Sequence, residues 1–210
     1  MSFKGLYCFA YALTTGLMKK FNALFYALIL VNVLPLHAQT NLINPSFEGE
    51  PQDATVPVAW HACALGTTPD ILPGVWGVYT EPSDGDTFVG LITRDDGSWE
   101  SIGQRLTSPL KSGDCYTFSI DLAHSKTYSG YNEPIKLRVW GGNTKCDKNQ
   151  LLLETDFVDH SNWKTYHLKF STREEIRYLI FEAYYKEGPF SRRGNILLDN
   201  ISTIKKCPRV

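Results

Sequence analysis

Two groupings of side chains in this 210-residue chain could do chemistry. The first is Asp121, His124 and Ser125, the residue types of an acyl-transfer triad. Adjacent side chains of a strand project to opposite faces, so His124 is poorly placed to take a proton from Ser125. His61, His124, His160 and His167 are scattered without metal-ligand spacing. There is no Gly-x-Ser-x-Gly elbow, no His-Glu-x-x-His and no phosphate loop. Asp95-Asp96 and Glu174-Glu175 read as turn and surface charge. The chain therefore reads as non-catalytic. A small polysaccharide-active enzyme stays open, because acids distant in sequence can meet in space.

The second grouping is polar and aromatic. In 134–141, Ile135, Leu137 and Val139 share one face, leaving Lys136, Arg138 and Trp140 on the other. In 177–186, Leu179, Phe181 and Ala183 suit a core, which puts Tyr178, Glu182 and Tyr184 opposite. If the two strands share a sheet, Arg138 with Glu182 and Trp140 with Tyr184 form one surface. Flat rings suit the apolar faces of a sugar, and fixed polar groups suit its hydroxyls. Trp76, Tyr79, Trp99, Tyr128 and Tyr131 could wall that surface. Taken singly, Trp76 suits a core equally well, and Arg138–Glu182 could be a simple cross-strand ion pair. Tyr128 and Tyr131 flank Gly130 in a loop, where exposure is expected.

The elements that must position these groups are short and extended. Strands are predicted over 41–48, 57–62, 75–80, 87–94, 98–107, 115–124, 134–141, 150–158, 163–172, 177–186 and 194–204. Tyr116, Phe118, Ile120 and Leu122 alternate with Thr117, Ser119 and Asp121, the pattern of a half-buried strand. Ser83-Asp-Gly-Asp, Asp95-Asp-Gly, Lys111-Ser-Gly-Asp and Gly141-Gly-Asn mark turns between them. No stretch after residue 38 carries a capped helical period. The fold class expected is all-β: a two-sheet antiparallel sandwich or jelly roll. Segment 98–107 is ambiguous, since the parity that buries Ile102 and Leu106 also buries Glu100 and Gln104 unless a bulge intervenes.

The start of the chain reads as an export signal. Lys19-Lys20 precede an apolar run over 21–36, and Leu36-His37-Ala38 supplies a small residue at the cut. Asn22, Asn32 and Pro35 interrupt a run shorter than a membrane span needs. Met18-Lys-Lys is itself a signal start, making Met18 the expected initiator. A signal at 1–38 leaves a single domain over 39–210. Removing three lysines from 21 basic residues leaves 18 against 22 acidic ones, a balance of −4. No basic run is present, so nucleic acid is not an expected partner. Cys63, Cys115, Cys146 and Cys207 remain, an even number consistent with two disulfides in an exported chain. Three pairings are open, and strand ends at Cys115 and Cys207 favour joining those two. Expected localisation is secreted or at the cell-envelope exterior, with the periplasm also open.

Three motifs carry a family resemblance. Asn44-Pro-Ser-Phe-Glu48 opens the domain, Pro109-Leu-Lys-Ser-Gly leads into Cys115-Tyr-Thr-Phe-Ser-Ile, and Asn195-Ile-Leu-Leu-Asp199 closes it. Together they resemble the galactose-binding-like jelly rolls, in particular carbohydrate-binding modules of families 4, 9 and 22. The stretches Pro69-Asp-Ile-Leu-Pro-Gly-Val-Trp-Gly-Val, Leu122-Ala-His-Ser and Leu137-Arg-Val-Trp-Gly-Gly also look like secreted domains common in Bacteroidetes. The first resemblance implies a structural calcium ion, with Glu48, Asp84 and Asp199 as carboxylate ligands and Ser46 and Thr87 as carbonyl donors. Hard cations of this kind take six to eight oxygens. A fold shared with sugar binders does not by itself establish sugar binding. The expected function is a secreted carbohydrate-binding domain whose partner is a glycan or polysaccharide. An adhesion or surface-assembly module binding a cell-surface protein is the alternative to the binder and the enzyme.

Overall fold

Alternation along 115–123 and 176–184, and turns at the glycines between them, produce the architecture seen in the computed structural model, which describes residues 39–187 and 192–208. The expected signal segment lies outside the described residues. Twelve strands follow in order: β1 (His61–Ala62), β2 (Asp70–Leu72), β3 (Phe88–Thr93), β4 (Ser101–Leu110), β5 (Cys115–Ala123), β6 (Glu133–Pro134), β7 (Lys136–Gly142), β8 (Gln150–Glu154), β9 (Lys164–Ser171), β10 (Ile176–Tyr184), β11 (Gly194–Asp199) and β12 (Lys205–Lys206). Among the described residues there is no helix, hence none long and apolar enough to cross a membrane.

The strands form two sheets, and the fold is an all-β sandwich as expected. One sheet has the order β1-β4-β10-β7-β8. The other runs β12-β5-β11-β3-β2, with β9 also paired to β5 and β6 beside β11. Pairing is antiparallel except between β6 and β11. The main core lies between the sheets. Phe118, Ile120 and Leu122 of β5 meet Leu137 and Val139 of β7 and Leu179, Phe181 and Ala183 of β10. Both disulfides are present, Cys63–Cys146 and Cys115–Cys207.

A second, smaller core covers the other side of the larger sheet. Leu72, Val78, Phe88, Ile92, Ala123, Tyr128 and Leu197 pack there. It explains why β3 and β11 are buried along their whole length. Their apolar runs, Phe-Val-Gly-Leu-Ile and Ile-Leu-Leu, do not alternate, as befits strands covered on both faces.

Several expected elements differ. Segment 41–48 is a turn rather than a strand. Asn44 adopts φ 52°, a left-handed conformation that Asn tolerates. Its Oδ1 accepts the Glu48 N–H at 2.7 Å, and its Nδ2 donates to the Glu48 carbonyl at 2.9 Å. This loop drives Phe47 into the core against Trp60, ring centroids 4.8 Å apart. Segment 75–80 is a loop, and only 61–62 of the expected 57–62 strand pairs. Strands β2, β6 and β12 are additions to the sequence reading.

Candidate functional site

The register of β10 against β7 brings the expected polar and aromatic residues together. Glu182 lies opposite Arg138, Ile180 opposite Trp140 and Tyr184 opposite Lys136. Residues in register project to the same side, so these line the outer face of the five-stranded sheet. The Arg138 guanidinium lies over the Tyr184 ring, 3.1 Å from its centroid, and 5.9 Å from that of Trp140. Trp99 meets Tyr184 edge-on at 5.3 Å. Trp140 Nε1 donates to Glu182 Oε1 at 2.9 Å, and Lys148 Nζ donates to Glu182 Oε2.

Arg138 and Glu182 face each other but pair elsewhere. Arg138 Nε donates to Glu154 Oε2 at 2.7 Å, and Lys136 joins the same carboxylate at 3.2 Å. The two cations hold Glu154 below the usual carboxylate range, against its partial burial. Lys148 and Glu154 are members of this network that the sequence reading missed. Glu154 could have been found as the next strand's partner for Arg138, while Lys148 lies in a turn with no periodic signal. Tyr184 and Glu182 are buried, whereas Trp99, Arg138 and Trp140 are half-exposed.

The remaining expected wall residues lie elsewhere. Trp76, Tyr79, Tyr128 and Tyr131 belong to the loops over the larger sheet. The Ser129 N–H donates to the Trp76 carbonyl at 2.9 Å, and Thr127 Oγ1 to that of Gly77 at 2.7 Å. Trp76 and Tyr79 are exposed. The expectation that Tyr128 is exposed is corrected, since it is 1% exposed inside the smaller core. Its hydroxyl donates to the buried carboxylate of Asp70. Tyr131 is half-buried against Tyr128 and under the Arg193 guanidinium, 4.4 Å from its ring centroid. The expected single surface is thus two groups on opposite sides of the sandwich.

The middle of the outer face is occupied. Gly103 lies opposite Ile180 in β10 and opposite His61 in β1. A Cβ at Gly103 would sit 2.9 Å from Cys63 Sγ, so the missing side chain makes room for the Cys63–Cys146 bridge. Gly103 shares a row of the sheet with His61, Ile180 and Trp140, between the Ser101–Glu182–Arg138 row and the Arg105–Tyr178 row. The one trio of His, Cys, Asp or Glu ligand atoms lying within 4.8 Å of one another among the described residues is His61, Cys63 and Cys146. Its two sulfurs are bonded to each other.

The N-terminal turn, the 83–87 turn and the end of β11 meet at a cluster of acids. Asp199 is fully buried, its Oδ2 accepting the N–H groups of Ser83 at 2.8 Å and Asp84 at 3.0 Å. Its Oδ1 accepts the Asn200 N–H at 2.7 Å. Burial, with a lesser contribution from the Asp84 charge, raises its pKa to about 6 against those three bonds. Ser46 Oγ donates to Asp84 Oδ2 at 2.7 Å, and the Asp86 N–H reaches both Glu48 oxygens at 3.1–3.2 Å. Thr87 Oγ1 donates to the Phe47 carbonyl and accepts the Gly49 N–H. Asp121 adds a buried carboxylate whose Oδ1 has no hydrogen-bond partner among the described residues. Glu48, Asp84, Asp86, Asp121 and Asp199 form no ion pair with Lys or Arg among the described residues. This oxygen-rich, uncompensated donor set suits a hard cation. The oxygens of Glu48, Asp84 and Asp199 do not close to within 4.8 Å of one another as a trio.

The triad residues are separately engaged. His124 Nε2 contacts the Asn132 carbonyl at 2.9 Å, and Ser125 Oγ shares a bond with Thr127 Oγ1 at 3.1 Å.

The sequence matches no family model and no curated protein. Solved structures do match. A cyclase from Fischerella sp. TAU superposes with a TM-score of 0.55 at 13% identity, over 82% of this chain and 98% of that one. The K3 cleaved adhesin domain of Lys-gingipain from Porphyromonas gingivalis gives 0.51 at 14%, over 79% and 98%. The CBM22-1 xylan-binding domain from Paenibacillus barcinonensis Xyn10C gives 0.50 at 14%, over 80% and 96%. The two-sheet antiparallel sandwich expected from the strand pattern is therefore the fold this chain shares with these structures.

Proposed function

We propose that this is an exported, non-catalytic domain that holds a glycan on the outer face of the five-stranded sheet, with calcium bracing its N-terminal turn. The observation that carries the reading is the contiguous group Trp99, Tyr184, Arg138, Trp140 and Glu182, drawn from strands β7 and β10 and the β3–β4 loop. Arg138 covers one face of Tyr184, so Trp99 and Trp140 are the rings left to stack on sugar C–H faces. Arg138 and Glu182 would orient hydroxyls, each already fixed by an opposite charge. Such prior fixing lowers the ordering cost of binding.

A xylan-binding domain among the structures sharing this fold supports the reading, and an adhesin domain keeps the broader class of extracellular recognition in view. Two disulfides support an oxidising compartment. The separate engagement of His124 and Ser125 supports binding over catalysis. Glu48, Asp84 and Asp199 would hold calcium with the carbonyls of Ser46 and Thr87, where it would neutralise clustered carboxylates and so stabilise the fold.

Glycan-array screening followed by calorimetry on the best ligand tests the site. Trp99→Ala and Trp140→Ala should each weaken binding at least tenfold while thermal melting stays cooperative; unchanged affinity in both rejects this face. Calcium is tested by melting with chelator and with excess calcium. An ion present at 100 times its Kd stabilises by about 2.7 kcal/mol, and an unmoved midpoint rejects it.

A further inference from the structure

We infer a second subsite on the same outer face, beyond the row of Gly103, which takes the anionic group of an acidic sugar. The inference rests on the glycan-binding reading and gives it a substrate class. It starts from an irregularity in β4. Arg105 lies opposite Tyr178 of β10, and Leu110 lies opposite Ile176. Four β4 residues, 106–109, therefore face the single residue Arg177. Bulges of this kind bend the strand and re-aim its side chains, and Pro109, which has no N–H to pair, is at home in one.

The displaced backbone opens a cleft of about 340 Å³ lined by Ile43, Arg105, Leu106, Thr107, Pro109 and Arg177. A cleft near the lower end of the usual ligand-pocket range suits a sugar unit better than a large ligand. Its chemistry is uneven. Ile43, 58% exposed, and Pro109 offer an apolar wall. Gln104 anchors that wall, its amide bonding both the N–H and the carbonyl of Ile43. Against it stand two guanidinium groups. Arg177 pairs with the exposed Glu175 at 2.6 Å. The exposed Arg105 guanidinium has no ion pair, hydrogen bond or ring partner among the described residues.

An unpaired arginine in a cleft, beside a second one, on a domain whose residues 39–210 carry a balance of −4, is a fixed local charge that an anion would compensate. The planar fork of Arg matches carboxylate and sulfate oxygens two at a time. An apolar wall opposite such a fork is the pairing a charged pyranose needs. Tyr178, in register with Arg105, and Glu182, beside Trp140, are four residues apart on β10, about 13 Å along the strand. A glycan of a few sugar units can thus reach both ends of the face.

The test is calorimetry of the purified protein with trigalacturonate, a sulfated heparin tetrasaccharide and neutral xylotriose, at low and moderate salt. The expected result is at least tenfold tighter binding of an acidic probe than of the neutral one, weakening as salt rises. Arg105→Ala should remove that preference while leaving xylotriose affinity unchanged, and Arg105→Lys should restore part of it. Whether the carboxylated or the sulfated probe binds tighter identifies the anion. Equal affinity for acidic and neutral probes, or wild-type preference in Arg105→Ala, overturns the inference and leaves the sheet-face reading standing. If no oligosaccharide binds, the sheet-face reading falls. Titration of the Arg105 Nε–H resonance with galacturonate then decides: a saturable shift keeps the anion subsite, and none overturns it.

Discussion

Replacing Asp70 by Asn should flatten the dependence of stability on pH. Asp70 opens β2 and is 4% exposed, beneath the loops that cover the larger sheet. Its Oδ1 accepts the Ala54 N–H at 2.8 Å, and its Oδ2 accepts the Tyr128 hydroxyl. Burial, helped by Asp53 and the charge of Glu100, outweighs those bonds and raises its pKa from 3.8 to about 7. A raised carboxylate pKa means the folded state prefers the protonated acid. Near pH 4 and below, the folded protein bears no cost from this group. As pH rises from 4 to 7 the unfolded chain ionises freely while the folded one resists, and stability falls; above 7 the loss is complete. The interval from 3.8 to about 7, at 1.36 kcal/mol per pH unit, gives a loss of about 4 kcal/mol. Asn keeps an acceptor for Ala54 or Tyr128 and cannot ionise. Urea unfolding of both proteins from pH 4.5 to 8.5, at fixed calcium, isolates the effect as a difference. Asp70→Asn should gain on wild type as pH rises, by about 2–4 kcal/mol across the range. Parallel curves would refute the argument.

Three further perturbations probe other parts of the frame. Gln104→Leu leaves the backbone N–H and carbonyl of Ile43 without their side-chain partners and, at the usual net value of two hydrogen bonds, should cost about 1–3 kcal/mol in urea unfolding; an unchanged midpoint would mean that the N-terminal segment is not held there. Cys115→Ser with Cys207→Ser opens a link between residues 92 apart, so unfolding in urea should be easier by about 4 kcal/mol; equal stability would show that the bridge constrains nothing. Gly85 has φ 67° and a Cβ there would lie 1.9 Å from Glu48 Oε1, so Gly85→Ala should expel Glu48 from the Asp86 N–H and lower the melting midpoint. Any calcium-dependent rise in that midpoint should shrink with it, and a variant melting like wild type would refute the clasp.

The sheet framework was legible because side-chain alternation is a local property. The strand at 115–124 and the parity of 134–141 and 177–186 followed directly, and that parity placed Arg138, Trp140, Glu182 and Tyr184 on one face. The Cys115–Cys207 link also followed, from two strand ends. Pattern put Trp76 and Tyr79 in a strand over 75–80 that is in fact a loop, and gave Tyr128 and Tyr131 no side, since loop side chains have no period. The missed signal was in β3 and β11. Their unbroken apolar runs require a second cover, and the 73–82 and 126–132 segments that provide it carry the aromatics. Tyr128 is buried because it fills that cover, and its polar end needs Asp70 as partner.

Segment 98–107 shows the same logic from the opposite direction. Its parity would bury Glu100 and Gln104 unless a bulge rescued them. The structure keeps the parity and buries both, at 0% and 3% exposure. Each is accommodated by pairing. Glu100 accepts bonds from Arg94, the Thr68 N–H and hydroxyl, and the Ile92 N–H, joining the β3 end to β4. Gln104 continues the sheet edge by bonding Ile43 as a neighbouring strand would. The bulge falls later, at 106–109, after the buried polar residues and beside Arg105. Relieving polar burial therefore does not explain the bulge, since Glu100 and Gln104 are already bonded. What it does produce is an open cleft with an unpaired guanidinium on its wall, the feature on which the acidic-sugar subsite stands.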